Sequence, residues 1–221
     1  MRTYRDGCAA AHALDLVGER WALLVVRELL LGPKRFTDLR AGLPNASPNV
    51  LAQRLRELQR AGIVRRRRLP PPAASRIYEL TEWGEELEPV IMGLGRWGAR
   101  SPSRPREAEM GADSIILALR TMFDARAADG IEASYELRLG EDRFHAEVAG
   151  GRFEVVRRGA ERPDATVETD PGTLAALVFE GRPLAEALRS GGIKVGGSEE
   201  AVERFLSLFV VPEPTAPAVR A

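Results

Sequence analysis

Cysteine, histidine and lysine are almost missing from this 221-residue chain, and each shortage removes a class of function. The single cysteine, Cys8, cannot form an internal disulfide. His12 and His145 each stand apart from any Cys, His or carboxylate at metal-ligand spacing, so neither a metal centre nor a cofactor is expected. No nucleophile, base and orienting group can be assembled, which argues against an enzyme. The segment GGIKVGG at 191–197 lacks the four-residue gap and GK[ST] ending of a phosphate-cradling loop. No apolar run reaches the roughly 18 residues that span a bilayer, and no charged-then-apolar leader opens the chain. The expectation is a cytoplasmic protein with no membrane partner. Lysine is limited to Lys34 and Lys194 among 32 basic residues, a compositional bias toward Arg rather than a mechanism.

What is present divides by charge. The net charge of zero conceals a front half, residues 1–106, with 19 Lys and Arg against 11 Asp and Glu, and a rear half with 13 against 21. A net of +8 in front suits a polyanion, and a net of −8 behind would be repelled by it. The length favours two domains. The run SPSRPREAEMG at 101–111 interrupts all periodicity and reads as a linker, giving a front domain at 1–100 and a rear one at 112–211. The proline-rich tail after Phe209 is expected to fray.

Residues 35–80 order a short amphipathic helix, a turn, a second helix at 47–61 and an arginine-loaded hairpin at 64–80. On the second helix Leu51, Leu55 and Leu58 share one face, while Asn49, Gln53, Arg56 and Arg60 take the opposite one. Ser47-Pro48 is a good helix start and Gly62 a good left-handed stop. Asn49 and Gln53 carry the donor–acceptor pair that bonds adenine, whereas most arginines suit phosphate. The run Arg65, Arg66, Arg67 and Arg68, opposed by Arg76 across a proline turn, alternates sides, so about half of it can face one groove. Before these elements, Cys8–Val17 and Arg20–Leu31 read as helices, with Trp21, Leu24, Val25 and Leu29 under the reading helix. After them, Thr81 caps a helix in which Trp83, Leu87, Val90, Leu94 and Trp97 recur with a period of 3.5, kinked at Pro89. That seam points to a homodimer interface, with packing on the domain's own core as the alternative.

The runs CAAAHALDLVGERWALLVVRELLLGPKRFTDLRAGLP, LAQRLRELQRAGIVRR and YELTEWGEELEPVIMGLGRWG resemble the HxlR-type winged-helix transcription regulators across residues 8–98. The resemblance implies a homodimer on double-stranded DNA, with the second helix of each subunit in a major groove of a pseudo-palindromic operator. It places Ser47, Asn49, Gln53 and Arg54 on the reading helix and Arg66 with Arg76 on the wing. Arg35, Thr37, Arg56, Arg65, Arg67 and Arg68 complete the expected DNA surface. Cys8 sits where such proteins often carry a cysteine, which some members use to sense oxidants or electrophiles. A half-buried structural cysteine is the expectation here, since Asp6 offsets the positive charge of Arg5.

From Asp113 a helix over 112–130 gives way to strands of strict alternation, with Tyr135, Leu137 and Leu139 on one face and Phe144, Ala146 and Val148 on one face of the next. Gly150-Gly151 makes a tight hairpin into Phe153 and Val155. DATVETD forms a fourth strand, followed by two helices, the short GGIKVGG strand and a last helix. The class is α+β. The segment PDATVETDPGTLAALVFEGRPLAEALRSGGIKVGGSEEAVERFLSLF resembles the sterol-carrier-protein-like fold, which implies an antiparallel sheet covered by helices and an apolar cavity between them. Phe123, Phe144, Leu177, Phe179, Phe205 and Phe209 are its candidate lining, with plain core packing as the alternative. The joint expectation is a DNA-binding regulator biased by a hydrophobic small-molecule effector. The alternatives are a redox regulator acting through Cys8 with a purely structural rear domain, and a lipid-like small-molecule carrier.

Overall fold

The computed structural model describes residues 3–71, 74–105 and 108–215. Two compact units emerge, Met1–Ile91 and Met92–Ala221.

In the first unit, helices α1 (Ala9–Val17) and α2 (Ala22–Leu29) lead to a short strand β1 (Lys34–Arg35) and the helix pair α3 (Phe36–Gly42) and α4 (Pro48–Arg60). The hairpin β2 (Val64–Arg68) and β3 (Arg76–Leu80) follows, then α5 (Glu82–Glu85) and the start of α6 (Glu88–Ala99), whose residues from Met92 onward belong to the second unit. Strand β3 lies between β1 and β2, antiparallel to both. The proline turn expected at the hairpin tip includes residues 72 and 73, which lie outside the described residues.

Both first helices are shorter than their apolar patterns. Cys8 caps α1, and Trp21 adopts a left-handed conformation at φ 77 before α2, so the helix starts only after it. Val25 and Leu29 pack inward and Trp21 is half-buried, but Leu24, expected beneath the reading helix, is exposed. At about 100° per residue Val25, Val26 and Leu29 share one arc of α2, and Leu24 falls outside it. Helix α4 matches its pattern closely. The Ser47 hydroxyl accepts the Val50 N–H at 3.4 Å. Gly62, at φ 75, lets its own N–H reach the Gln59 carbonyl and that of Ile63 reach Leu58, which closes the helix. Leu51, Leu55 and Leu58 are buried with Val25, Val26, Leu29 and Leu39.

Beneath this helix pair lies a buried ion cluster. Glu28 is 1% exposed and receives Lys34 at 2.7 Å and Arg27 at 2.9 Å. Burial pushes its carboxyl up, but the charge and hydrogen bond of Lys34, then those of Arg27, outweigh it and hold the pKa below the ordinary value. A Cβ at Gly42 would stand 2.1 Å from Glu28 Oε2, so a larger residue there would displace the carboxylate from its present place.

The terminal helix breaks rather than kinks. Pro89 occupies the first turn of α6, where no intrahelical N–H is needed, so the interruption falls before it, between α5 and α6. The expected continuous seam is therefore divided, with Trp83 on α5 and Val90, Leu94 and Trp97 on α6.

The second unit contains α7 (Ala112–Met122), β4 (Ala133–Leu139), β5 (Asp142–Ala149), β6 (Arg152–Val156), β7 (Ala165–Thr169), α8 (Pro171–Phe179), α9 (Leu184–Arg189), β8 (Ile193–Gly197) and α10 (Glu199–Leu206). The strand order is β6-β5-β4-β7-β8. An antiparallel sheet was expected, but the sheet is mixed, because β7 pairs parallel with β4 while the other pairs are antiparallel. The cause is the connection 157–164, which carries the chain from β6 past two strands to β7 instead of turning back beside β6. Gly150 and Gly151, at φ 55 and 70, form the two-residue turn between β5 and β6.

One sheet face is apolar and buried: Tyr135, Leu137, Leu139, Phe144, Ala146, Val148, Phe153, Val155, Ala165 and Val167. Helix α7 ends earlier than its pattern suggests, and Phe123 turns into an extended bridge with Phe209. The tail is held as far as Thr215: the Val210 N–H donates to the Met122 carbonyl and the Thr215 N–H to Arg100, both at 2.8 Å. The remainder of the tail that was expected to fray, residues 216–221, lies outside the described residues. Among the described residues no helix is long and apolar enough to cross a membrane.

Candidate nucleic-acid interface

Helix α4 exposes Ser47, Asn49, Gln53, Arg56 and Arg60 on the side opposite its leucines. Arg35 and Thr37, at the start of α3, are also exposed, and the Asp38 carboxylate accepts the Arg35 N–H at 3.0 Å and the Thr37 hydroxyl at 3.1 Å. These groups form a polar surface on a helix whose other face is locked into the core.

Arg54 does not belong to that surface. It is 9% exposed, and its guanidinium is held by Glu57 one turn on and by Glu19 at 3.7 Å from the α1–α2 corner. Position 54 falls between the buried Leu51, Leu55 and Leu58, so a side chain there is drawn inward. Gln53 remains outside, and its Nε2 donates to Glu57 Oε1 at 3.0 Å. Glu57 is thus a member of the site that composition did not single out. Its spacing of three from Arg54 and four from Gln53 was the available signal.

The wing divides its arginines as a two-residue period requires. Arg65 and Arg67 turn to Glu79 on β3, at 2.8 and 3.1 Å. The Arg67 hydrogen bond, then that of Arg65, holds the Glu79 carboxyl below its ordinary pKa against the opposing effect of burial. Arg66 lies over the Tyr78 ring at 5.8 Å. Arg66, Arg68 and Arg76 are exposed and, like Arg56 and Arg60 on α4, have no ion-pair partner among the described residues. Among the described residues these five guanidinium groups stand without carboxylates, and α4 presents its amide-bearing face in the same unit.

The residues expected at a dimer interface are largely uncovered in the single chain. Val90 and Leu94 are 49% exposed and Trp97 77%, spaced four and three apart on α6; Trp83 on α5 is 50% exposed, and Leu87 packs against the front core. Cys8 is exposed, contrary to the half-buried expectation. It stands at the N-cap of α1, and although no capping hydrogen bond of ordinary geometry forms, the backbone N–H groups of Ala11 and then Ala10 lower its thiol pKa.

In the second unit the six expected lining residues separate into two groups. Phe205 and Phe209 join Phe123, Phe153 and Tyr135 in an aromatic cluster with ring centroids 4.8–6.3 Å apart, which fills the space where a cavity was expected. Phe144 and Leu177 are also core residues, and Arg157 covers the Phe144 ring at 4.6 Å. Phe179 lines a cavity of about 470 Å³ with Ala118 and Met122 of α7, Ala175 of α8 and the linker residues Pro105 and Met110. Phe123 also borders a second cavity, of about 480 Å³, with Trp97, Met122 and Val210. The linker and tail residues at these cavities carried no sequence signal, because their role comes from docking rather than from periodicity.

The front architecture is that of a winged helix-turn-helix, two helices joined by a short turn and followed by a basic β-hairpin. The chain belongs to the HxlR-like helix-turn-helix family, whose model matches residues 16–105, and its rear unit belongs to the alkyl sulfatase C-terminal family, matched over 108–220. The curated HTH-type transcriptional regulator YvaP of Bacillus subtilis is 39% identical over 85 residues, covering 38% of this chain and 79% of that protein. The solved reduced form of the B. subtilis transcriptional regulator YodB is 35% identical, covers 44% of this chain and 97% of that one, and gives a TM-score of 0.40. The sec-alkylsulfatase Pisa1 of Pseudomonas sp. is 19% identical, covers 54% of this chain but 19% of that enzyme, and gives a TM-score of 0.44.

Proposed function

We propose that this protein is a homodimeric, DNA-binding transcription regulator, not an enzyme. Helix α4 enters the major groove and the β2–β3 wing holds the flanking backbone. The observation that carries this reading is the exposed Ser47, Asn49 and Gln53 surface on α4 together with Arg56, Arg60, Arg66, Arg68 and Arg76, which have no ion-pair partner among the described residues. Amide groups on a rigid helix suit base edges, and unpaired guanidinium groups suit phosphates. Uncovered Val90, Leu94 and Trp97 on α6, with Trp83 on α5, supply the apolar area for a two-fold partner, which would set two half-sites about 34 Å apart. The test is a titration of a duplex selected from a random library, at stated salt. Gln53→Ala is expected to relax base preference, and Leu94→Glu to convert the protein to a monomer with weakened DNA binding by sedimentation and anisotropy. A monomeric wild type, or binding with no base preference, would count against the reading.

The sterol-carrier-like pattern of the rear sequence supports a hydrophobic effector there, and the site that suits it is the 470 Å³ cavity at Phe179 and Met122. A second reading gains support from one observation. Cys8 is exposed with a lowered pKa at a helix N-terminus, and a thiol so placed reacts with oxidants and electrophiles more readily than a covered one. Operator binding by Cys8→Ser that is as sensitive to a quinone as wild-type binding would dismiss it.

A further inference from the structure

The amide of Gln53 is not free to turn. Its Nε2 donates one N–H to Glu57 Oε1 at 3.0 Å, and the second Glu57 oxygen is engaged by the guanidinium of Arg54, whose side chain is almost fully covered. Arg54 is itself held between α4 and the corner carrying Glu19. The three side chains therefore form a chain from the protein interior to the exposed face of α4. A glutamine amide presents a carbonyl acceptor and two N–H donors, and reads adenine by accepting from N6 and donating to N7. With one N–H directed to Glu57, the carbonyl and the second N–H remain available as that pair, on fixed sides. An amide able to flip would offer its two groups in either order and pay orientational entropy when it binds.

We infer that Glu57, charged and anchored by Arg54, is a positioning residue that fixes the Gln53 amide for bidentate reading of one base pair in each half-site. The inference rests on α4 being the reading helix. Arg54 has a second consequence: it balances the charge of a carboxylate standing beside the surface that approaches phosphate, so Glu57 can orient Gln53 with its repulsion of DNA offset. Neither residue touches DNA in this arrangement. Both act through Gln53.

The experiment uses the full chain and the duplex recovered by selection from a random library with the wild-type protein, together with variants of that duplex changed at one base pair at a time. Affinity is measured by anisotropy for the wild type, Gln53→Ala, Glu57→Ala, Glu57→Gln and the double variant Gln53→Ala/Glu57→Ala. Gln53→Ala is expected to reduce discrimination at one base pair per half-site about tenfold. Glu57→Ala should reduce it at that same base pair by most of this factor, and the double variant should be no worse than Gln53→Ala. Glu57→Gln keeps an acceptor carbonyl and should retain discrimination. A merely structural Glu57 gives a different pattern: Glu57→Ala and Glu57→Gln alike would weaken binding to every duplex in step with a lowered melting temperature. That result, or full discrimination by Glu57→Ala, overturns the inference. If Gln53→Ala itself leaves discrimination intact at every position, the assignment of Gln53 as a reader fails first, and the inference with it.

Discussion

The two units carry charge at a similar density and pair it differently. In the rear unit the cations of the sheet and of its neighbouring loops include several matched pairs. Arg138 meets Glu136 at 2.8 Å, Lys194 meets Glu168 at 2.7 Å, Arg182 meets Glu186 at 3.2 Å, and Arg157 is shared between Asp113 and Asp142. The Glu136 hydrogen bond raises the pKa of Arg138, and Lys194 lowers that of Glu168, as expected of pairs that stabilise each other's charge. In the front unit Arg56, Arg60, Arg66, Arg68 and Arg76 have no such partners among the described residues. Unmatched guanidinium groups repel one another and reduce stability, and neutralisation by a polyanion would relieve that repulsion.

If the units are also separate in stability, core substitutions will act on one at a time. Phe205→Ala removes the centre of the rear aromatic cluster and is expected to cost about 3–5 kcal/mol, and Leu55→Ala removes the inward side of α4 at about 2–5 kcal/mol. In calorimetry each should lower one transition and leave the other in place. A single transition lowered by both would break the comparison, because the units would then unfold together.

The Glu28 cluster lies in the front unit and should give that unit's transition an acid sensitivity. Removing Glu28 leaves Lys34 and Arg27 largely covered without that partner, at a cost of about 3 kcal/mol for Glu28→Ala. Because the folded pKa of Glu28 is depressed, its contribution is present above the ordinary carboxylate value of 4.5 and is lost as pH falls through the folded value. The front transition of the wild type should therefore fall more steeply with acidification than that of Glu28→Gln, measured by circular dichroism from pH 6 to pH 3. Equal slopes would mean that the cluster is not maintained in solution.

Charge on the two surfaces can be removed symmetrically. The triple variant Arg66→Ala/Arg68→Ala/Arg76→Ala is expected to lower the salt dependence of DNA binding by about three in log–log slope if each guanidinium holds a phosphate. Arg138→Ala/Arg143→Ala/Lys194→Ala removes equal charge from the rear sheet and should leave that slope unchanged. An equal loss from both triples would place DNA on both units.

Much of this contrast was legible in the sequence where one local rule decides an outcome. The α4 faces, the Ser47 cap and the Gly62 stop follow from helical period and capping chemistry, and the structure retains them. The alternation of the wing arginines follows from strand geometry. What could not be read depended on contacts distant in sequence. Arg54 is placed on the reading helix by the family resemblance, but it lies on the leucine side of α4 and is paired with Glu19, far away in sequence. The parallel pairing of β7 with β4 depends on the route of the 157–164 connection, which has no periodic signal. Phe205 and Phe209 could line a cavity or fill a core on spacing alone, and only their mutual ring contacts show that they fill it.

The smallest predicted effect concerns the two wing arginines that are already paired. Glu79 holds Arg65 and Arg67, so both are diverted from phosphate although 66% and 51% of their side-chain surfaces are exposed. Glu79→Gln keeps the shape and removes the charge that binds them. Exposed pairs contribute little to folding, about 0–1 kcal/mol, so stability should change slightly. Affinity for DNA should rise modestly, and the salt slope should steepen by up to about one for each arginine that gains a phosphate. The depressed folded pKa of Glu79 sets the sign of the pH effect: the pairing is intact above the ordinary carboxylate range and weakens as pH falls through the folded value. Lowering the pH should therefore bring the wild type toward the Gln variant in salt dependence. An unchanged slope in Glu79→Gln would show that Arg65 and Arg67 do not reach the backbone even when released, confining the phosphate contacts of the wing to Arg66, Arg68 and Arg76.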